Sequence, residues 1–159
     1  MSGFEKDVLR ILDANFNRSR EGLRVCEEIT RFLLNDQSLT RALKEARHAV
    51  SEGLKKLPVS QKELLSSRNV REDVGRESSA LENERKGAVG LFLANIQRAK
   101  EALRVLEETS KLVDVSLPPK IKKIRFNVYA IEKRTLPKLE ALCDHGSRGS
   151  GKQVSRRGR

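Results

Sequence analysis

Two stretches of this chain carry the same polar side chains at the same spacing. Residues 14–28 read ANFNRSREGLRVCEE and residues 94–108 read ANIQRAKEALRVLEE, so Asn15, Arg18, Glu21, Arg24, Glu27 and Glu28 return as Asn95, Arg98, Glu101, Arg104, Glu107 and Glu108. On a helix turning about 100° per residue, Leu12, Gly22 and Cys26 fall within about 60° of Asn15, and Arg18 borders the same stripe. Asn15 thus points into an apolar face, and Asn95 does the same among Phe92, Ala102 and Leu106. A buried amide without partners costs roughly 1–3 kcal/mol. That two equivalent helices accept the position predicts a polar pocket inside the bundle, lined by Asn15, Arg18, Asn95 and Arg98. Its arginines favour a bound anion, because a guanidinium offers a planar fork of donors matched to phosphate or carboxylate. The structural alternative is an Asn–Asn pair at a helix crossing.

Other side chains are candidates by type and place. Glu28 and Glu108 could line the pocket rim or hold magnesium, whereas Arg24 and Glu27 read as an intrahelical ion pair. Arg47, beside His48, and Arg125 occupy matching places on later helices, where each could meet the pocket from the opposite wall. Tyr129 is the only tyrosine and reads as a half-buried core residue. Cys26 and Cys143 match no metal-ligand spacing, and Cys26 falls in an apolar stripe as a reduced core thiol. Residues 146–152 imitate a phosphate-binding loop, but Gln153 replaces the Ser or Thr that would hold magnesium and too little chain follows to form the helix such a loop must open.

Long helices must position these groups. Only 4% of residues are aromatic and 35% are charged, which suits amphipathic helices rather than a β-sandwich. Capping boxes at Ser2–Glu5, Ser60–Glu63 and Ser79–Glu82 mark helix starts. Apolar periodicity predicts helices over about 3–34, 39–57, 80–113 and from Pro118 to about 134, with Pro137 ending or kinking the last. The expectation is an all-α antiparallel bundle of two duplicated helical hairpins, about 3–57 and 80–134, joined by a short helix and a polar loop over Arg68–Gly75. Residues 1–143 form the domain, and residues 144–159, rich in Gly, Ser and Arg, form a disordered basic tail. The net charge of +11 suits phosphates, nucleotides or nucleic acid as partners. The N-terminus lacks a signal-peptide pattern and the best apolar run, 88–94, is too short to span a bilayer, so a cytoplasmic protein without a membrane partner is expected.

The combination of Asn15, Arg18, the run 20–25, the run 44–48, Arg68 with Asp73-Val74-Gly75, and Asn95, Arg98 and the run 101–108 resembles one family. It is the small, strictly monofunctional hydroxymethylpyrimidine-phosphate kinase family of thiamine biosynthesis, and the likeness covers about residues 4–134. Members stand alone or are fused ahead of thiamine-phosphate synthase. The resemblance implies transfer of the ATP γ-phosphoryl group to 4-amino-5-hydroxymethyl-2-methylpyrimidine phosphate, with ATP and Mg2+ as cofactors and a functional link to thiamine-phosphate synthase. At its motif positions, residue chemistry predicts that Arg18, Arg98, Arg47 and Arg125 clamp phosphates. Arg68 would bind substrate, and Asp73 would coordinate magnesium with Glu28 or Glu108 as helper. Gly75 would let backbone N–H groups approach an oxygen, and Asn15 and Asn95 would hydrogen-bond the pyrimidine or a phosphate. Asn69 stands where an acidic residue is usual, and Cys26 where leucine is. A basic nucleic-acid-binding bundle is the alternative, disfavoured by the scarcity of aromatics for base stacking; a purely structural bundle is the other. The oligomeric state stays open, a homodimer included.

Overall fold

The computed structural model describes residues 2–69 and 87–149, with side chains through 144. Ser2 accepts from the Glu5 N–H while the Glu5 carboxylate returns to the Ser2 N–H at 2.7 Å, and this box opens helix α1, Gly3–Phe32. The chain then reverses through Asn35, whose φ of 51° is a left-handed conformation that Asn tolerates. Asp36 accepts from the Leu39 N–H at 2.9 Å and starts α2, Gln37–Lys55. Ser60 and Glu63 form the second box and open the short helix α3, Gln61–Ser67. Helix α4, Gly87–Thr109, runs into one 3₁₀ turn, Ser110–Leu112, and α5 spans Leu117–Gly149. The expected Ser79–Glu82 box, Asp73 and Gly75 lie outside the described residues.

These helices make an all-α antiparallel bundle of two hairpins, α1–α2 and α4–α5, joined through α3. One core runs through it, with Leu12, Phe16 and Leu23 from α1, Leu43 and Val50 from α2, Phe92 and Leu103 from α4, and Ile121 and Val128 from α5. The start of α1, at Phe4 and Val8, lies beside Leu112 and Val113 just past α4, so the two long helices run antiparallel. They touch through small residues: Ser19, Gly22, Ala99 and Ala102 are all buried. A Cβ at Gly22 would lie 2.6 Å from the Asn95 carbonyl oxygen, so the backbones are in direct contact there.

The last helix does not end at Pro137, the first of the two outcomes expected there, and α5 runs on past Asp144 as far as Gly149. Tertiary contacts outweigh the local breaker. Thr135 and Leu139 on either side of Pro137 are buried, Arg134 Nη2 reaches Ser38 Oγ at 3.0 Å, and Lys138 pairs with Asp36. Among the described residues no helix is long and apolar enough to cross a membrane.

Candidate functional site

Antiparallel contact between two copies of one helix brings equivalent residues face to face. Asn15, Arg18 and Glu21 of α1 and Asn95, Arg98 and Glu101 of α4 line one cleft of about 750 Å³, with Gly22, Val25, Ala102 and Val105 completing it. The four residues expected to share a pocket do share one, but as an open cleft on the α1–α4 face rather than a cavity inside the bundle. The amides do not pair with each other. Asn15 Nδ2 donates to the Ile11 carbonyl and Asn95 Nδ2 to the Leu91 carbonyl, each at 2.9 Å, one turn back along its own helix. One N–H of each amide is thereby committed, and the amide oxygen and the second N–H are what each asparagine can offer a ligand. Arg18 and Arg98 are exposed at the cleft.

Glu21 and Glu101 were not foreseen as lining residues. Their signal was present: each follows Arg18 or Arg98 by three residues, one turn along the same flank. Together they make the cleft a mixed one, two guanidinium groups with two carboxylates. Among the described residues no group of three or more His, Cys, Asp and Glu could hold a metal ion. Magnesium is commonly held by only one or two carboxylates together with substrate phosphates, and Glu21 and Glu101 fit that donor set.

Arg47 and Arg125 do not reach the cleft. Arg47 Nε donates to Glu27 Oε2 at 2.9 Å, and Arg125 Nε donates to Glu107 Oε2 at 2.9 Å. Glu27 and Glu107 are buried between the helices of each hairpin, and a carboxylate there needs a cation and a donor. The arginine across the hairpin supplies both, which ties α2 to α1 and α5 to α4. Arg24 and Arg104 complete each cluster, at 3.2 Å and 3.0 Å from the other carboxylate oxygen, as the intrahelical reading expected. Glu28 and Glu108 pair with Arg24 and Arg104 and lie off the cleft lining. The hydrogen bond from Lys111, with Arg104 nearby, holds the Glu108 carboxyl below its ordinary range.

Arg68 lies in a different cavity, of about 430 Å³, between α1, the end of α2 and α3. Its Nε and Nη2 grip both oxygens of Asp13, the second at 2.9 Å. Arg20 and Lys55 stand on the same wall. Of the residues expected to bind substrate, Asn15 and Asn95 share the cleft, Arg68 lies in this second cavity, and Arg47 and Arg125 are held within their own hairpins.

A model of the ThiD2 family matches residues 10–134. The chain is 42% identical over 126 residues to thiamine-phosphate synthase of Synechocystis sp., covering 79% of this chain and 35% of that one. The synthase of Rhodopirellula baltica is 39% identical over 138 residues, 86% of this chain and 36% of its own. That of Nostoc punctiforme is 40% identical over 126 residues, 79% and 34%. The chain thus spans about a third of the length of these curated relatives. No solved structure matches.

Proposed function

The chain belongs to the ThiD2 family of thiamine biosynthesis, and from that premise we propose that it is a phosphomethylpyrimidine kinase. It would move the γ-phosphoryl group of ATP to 4-amino-5-hydroxymethyl-2-methylpyrimidine phosphate. A phosphate oxygen of the acceptor bonds to the γ-phosphorus, the bond from that phosphorus to the β–γ bridging oxygen breaks, and ADP leaves with its electron pair. The attacking oxygen is already anionic at neutral pH, so the step calls for charge neutralisation and alignment rather than a base.

One observation carries this reading: Arg18 and Arg98 line the same cleft as Asn15 and Asn95. Two anions must be drawn together, and two guanidinium groups on facing helices can each hold one phosphate by a forked pair of hydrogen bonds. The asparagine oxygens can accept from the 4-amino group of the pyrimidine. Magnesium bound with ATP would supply further neutralisation, and Glu21 and Glu101, which line the cleft, are the carboxylates that would hold it. Thiamine-phosphate synthase, the enzyme for which the relatives are named, would consume the diphosphate.

A second reading has one observation in its favour. Glu21 and Glu101 offset the two arginines, as they would in a ligand-binding or structural part of a synthase-type protein that transfers nothing itself. Incubation with ATP, magnesium and the pyrimidine phosphate, followed by detection of the diphosphate, separates the two. Arg18→Ala and Arg98→Ala are expected each to lower kcat/KM by about 10- to 100-fold, the value of a charged hydrogen bond. Their unfolding midpoints should stay put, since both side chains are exposed. Normal turnover in both variants would remove the clamp, and no diphosphate from the unaltered protein would leave the second reading.

A further inference from the structure

The duplication allows one half of the molecule to be read against the other. Arg47 and Arg125 bind equivalent glutamates, and Leu39, Leu43 and Val50 are buried as Leu117, Ile121 and Val128 are. That register makes Tyr129 the counterpart of Ser51 and Glu132 the counterpart of Leu54. In the long helices Lys100 is the counterpart of Arg20.

In the second hairpin this wall is closed. Lys100 Nζ lies 2.7 Å from both oxygens of Glu132 and 5.6 Å from the centre of the Tyr129 ring. Tyr129 in turn takes a hydrogen bond from Arg125 Nη1 at 2.9 Å. A cation, a carboxylate and a ring fill the space between α4 and α5.

In the first hairpin the cation is kept and its partners are gone. Leu54 replaces the carboxylate. Ser51 replaces the ring, and its hydroxyl bonds only the Arg47 carbonyl of its own helix, at 3.2 Å. The vacated space is the cavity of about 430 Å³ that Arg20 lines. Arg20 Nε is buried and has no hydrogen-bond partner. A buried guanidinium N–H without an acceptor is costly, and Leu54 removes the oxygen pair that Glu132 gives Lys100. Arg68 and Lys55 also line the cavity, Arg68 held by Asp13 and Lys55 by the exposed Glu52 at 2.8 Å, which leaves Arg20 as the lining cation with an unmet donor.

We propose that this cavity binds a small phosphomonoester, whose phosphate stands where Glu132 stands in the other hairpin and whose apolar body lies against Leu54, Val59 and Leu64. The site is separate from the α1–α4 cleft, and the proposal does not rest on the kinase reading. A volume of about 430 Å³ is within the range of small-molecule sites.

The test is titration of the full chain with phenyl phosphate and with inorganic phosphate, followed by calorimetry and by the methyl NMR signals of Val59 and Leu64. Phenyl phosphate is expected to bind at least about tenfold more tightly than inorganic phosphate and to move those signals, because the apolar wall adds to the charge. Leu54→Glu restores the second hairpin's pairing within the first. It should weaken phenyl phosphate binding by about tenfold or more while the unfolding midpoint holds or rises. Should that variant fail to fold, Arg20→Gln, which keeps length and polarity, is expected to show the same loss. Equal affinity for the two probes, unmoved methyl signals, or unchanged binding in a folded variant would each overturn the proposal.

Discussion

Two helical glycines, one buried and one half-buried, should answer the same substitution with opposite signs. At Gly22 a new Cβ would meet the Asn95 carbonyl oxygen at 2.6 Å and the Ala99 Cβ at 3.4 Å. At Gly53 the nearest atom is Phe16 Cε1 at 3.6 Å, an ordinary contact. Alanine within a helix is worth about 0.5–1 kcal/mol over glycine at either place, chiefly through the entropy of the unfolded chain. At Gly53 little opposes that gain, so Gly53→Ala should raise stability by about 0.5–1 kcal/mol. At Gly22 the obstacle is backbone, which no rotamer change relieves, and α1 must move away from α4. Overpacking of this kind costs about 1–3 kcal/mol. The net for Gly22→Ala is a loss of about 1 kcal/mol, and more for Gly22→Val, which adds two methyl groups against the same carbonyl. Urea unfolding followed by far-ultraviolet circular dichroism reads both midpoints. The same shift spreads Asn15 and Arg18 from Asn95 and Arg98, so ligand affinity in the cleft should fall with the midpoint. A Gly22→Ala protein as stable as the parent, with intact ligand affinity, would refute the argument that direct backbone contact at this crossing shapes the cleft.

Three further outcomes follow from the ion pairs and thiols. Arg47→Met should cost about 3 kcal/mol, the low end for a broken buried pair because Arg47 keeps 20% of its side chain exposed; adding Glu27→Leu should recover most of it in the same urea assay. Loss of substrate binding with unchanged stability would instead make Arg47 a ligand group. Asp36→Ala should cost about 0.5–2 kcal/mol at pH 7 by removing the α2 cap. Lys138 and then the Leu39 N–H hold the Asp36 carboxyl below its ordinary value, so its stabilisation is present above about pH 4 and fades as pH falls through the depressed value, where parent and variant midpoints should converge. Burial, aided by Glu132 and opposed by a backbone hydrogen bond, pushes the Cys26 thiol up to about 12; iodoacetamide at pH 8 should alkylate exposed Cys143 and spare Cys26, and modification of both in the folded protein would contradict the packing of α1 on α4.

Much of this molecule is visible in its residues, for identifiable reasons. The repeat is legible because Asn15, Arg18 and Glu21 recur among apolar matches, a mixture that amphipathic periodicity alone does not generate. Helical projection sets Asn15 on the apolar face, and it is buried. What projection does not give is the partner. Asn15 and Asn95 turn back to their own helices, and Arg47 finds Glu27 twenty positions away in the chain, a pairing that depends on how two helices dock. Pro137 misleads for the same reason: Leu139 and the Lys138–Asp36 pair outweigh a local breaker. The cavity beside Arg20 was hidden because its clue is a missing carboxylate, Leu54 where Glu132 stands, and a loss shows only after the two hairpins are aligned.

The facing arrangement of equivalent residues around the cleft has a consequence for how a ligand is oriented there. A half-turn rotation exchanges Asn15 with Asn95 and Arg18 with Arg98, so a lopsided guest meets two docking poses of nearly equal energy. Of the lining residues, only Gly22 and Ala102 are unequal partners and distinguish them. A pair of identical single-hairpin chains would lack even these, because each change would arrive on both sides at once. Tandem linkage in one polypeptide lets the two sides drift apart, and with them the preferred direction of whatever lies between.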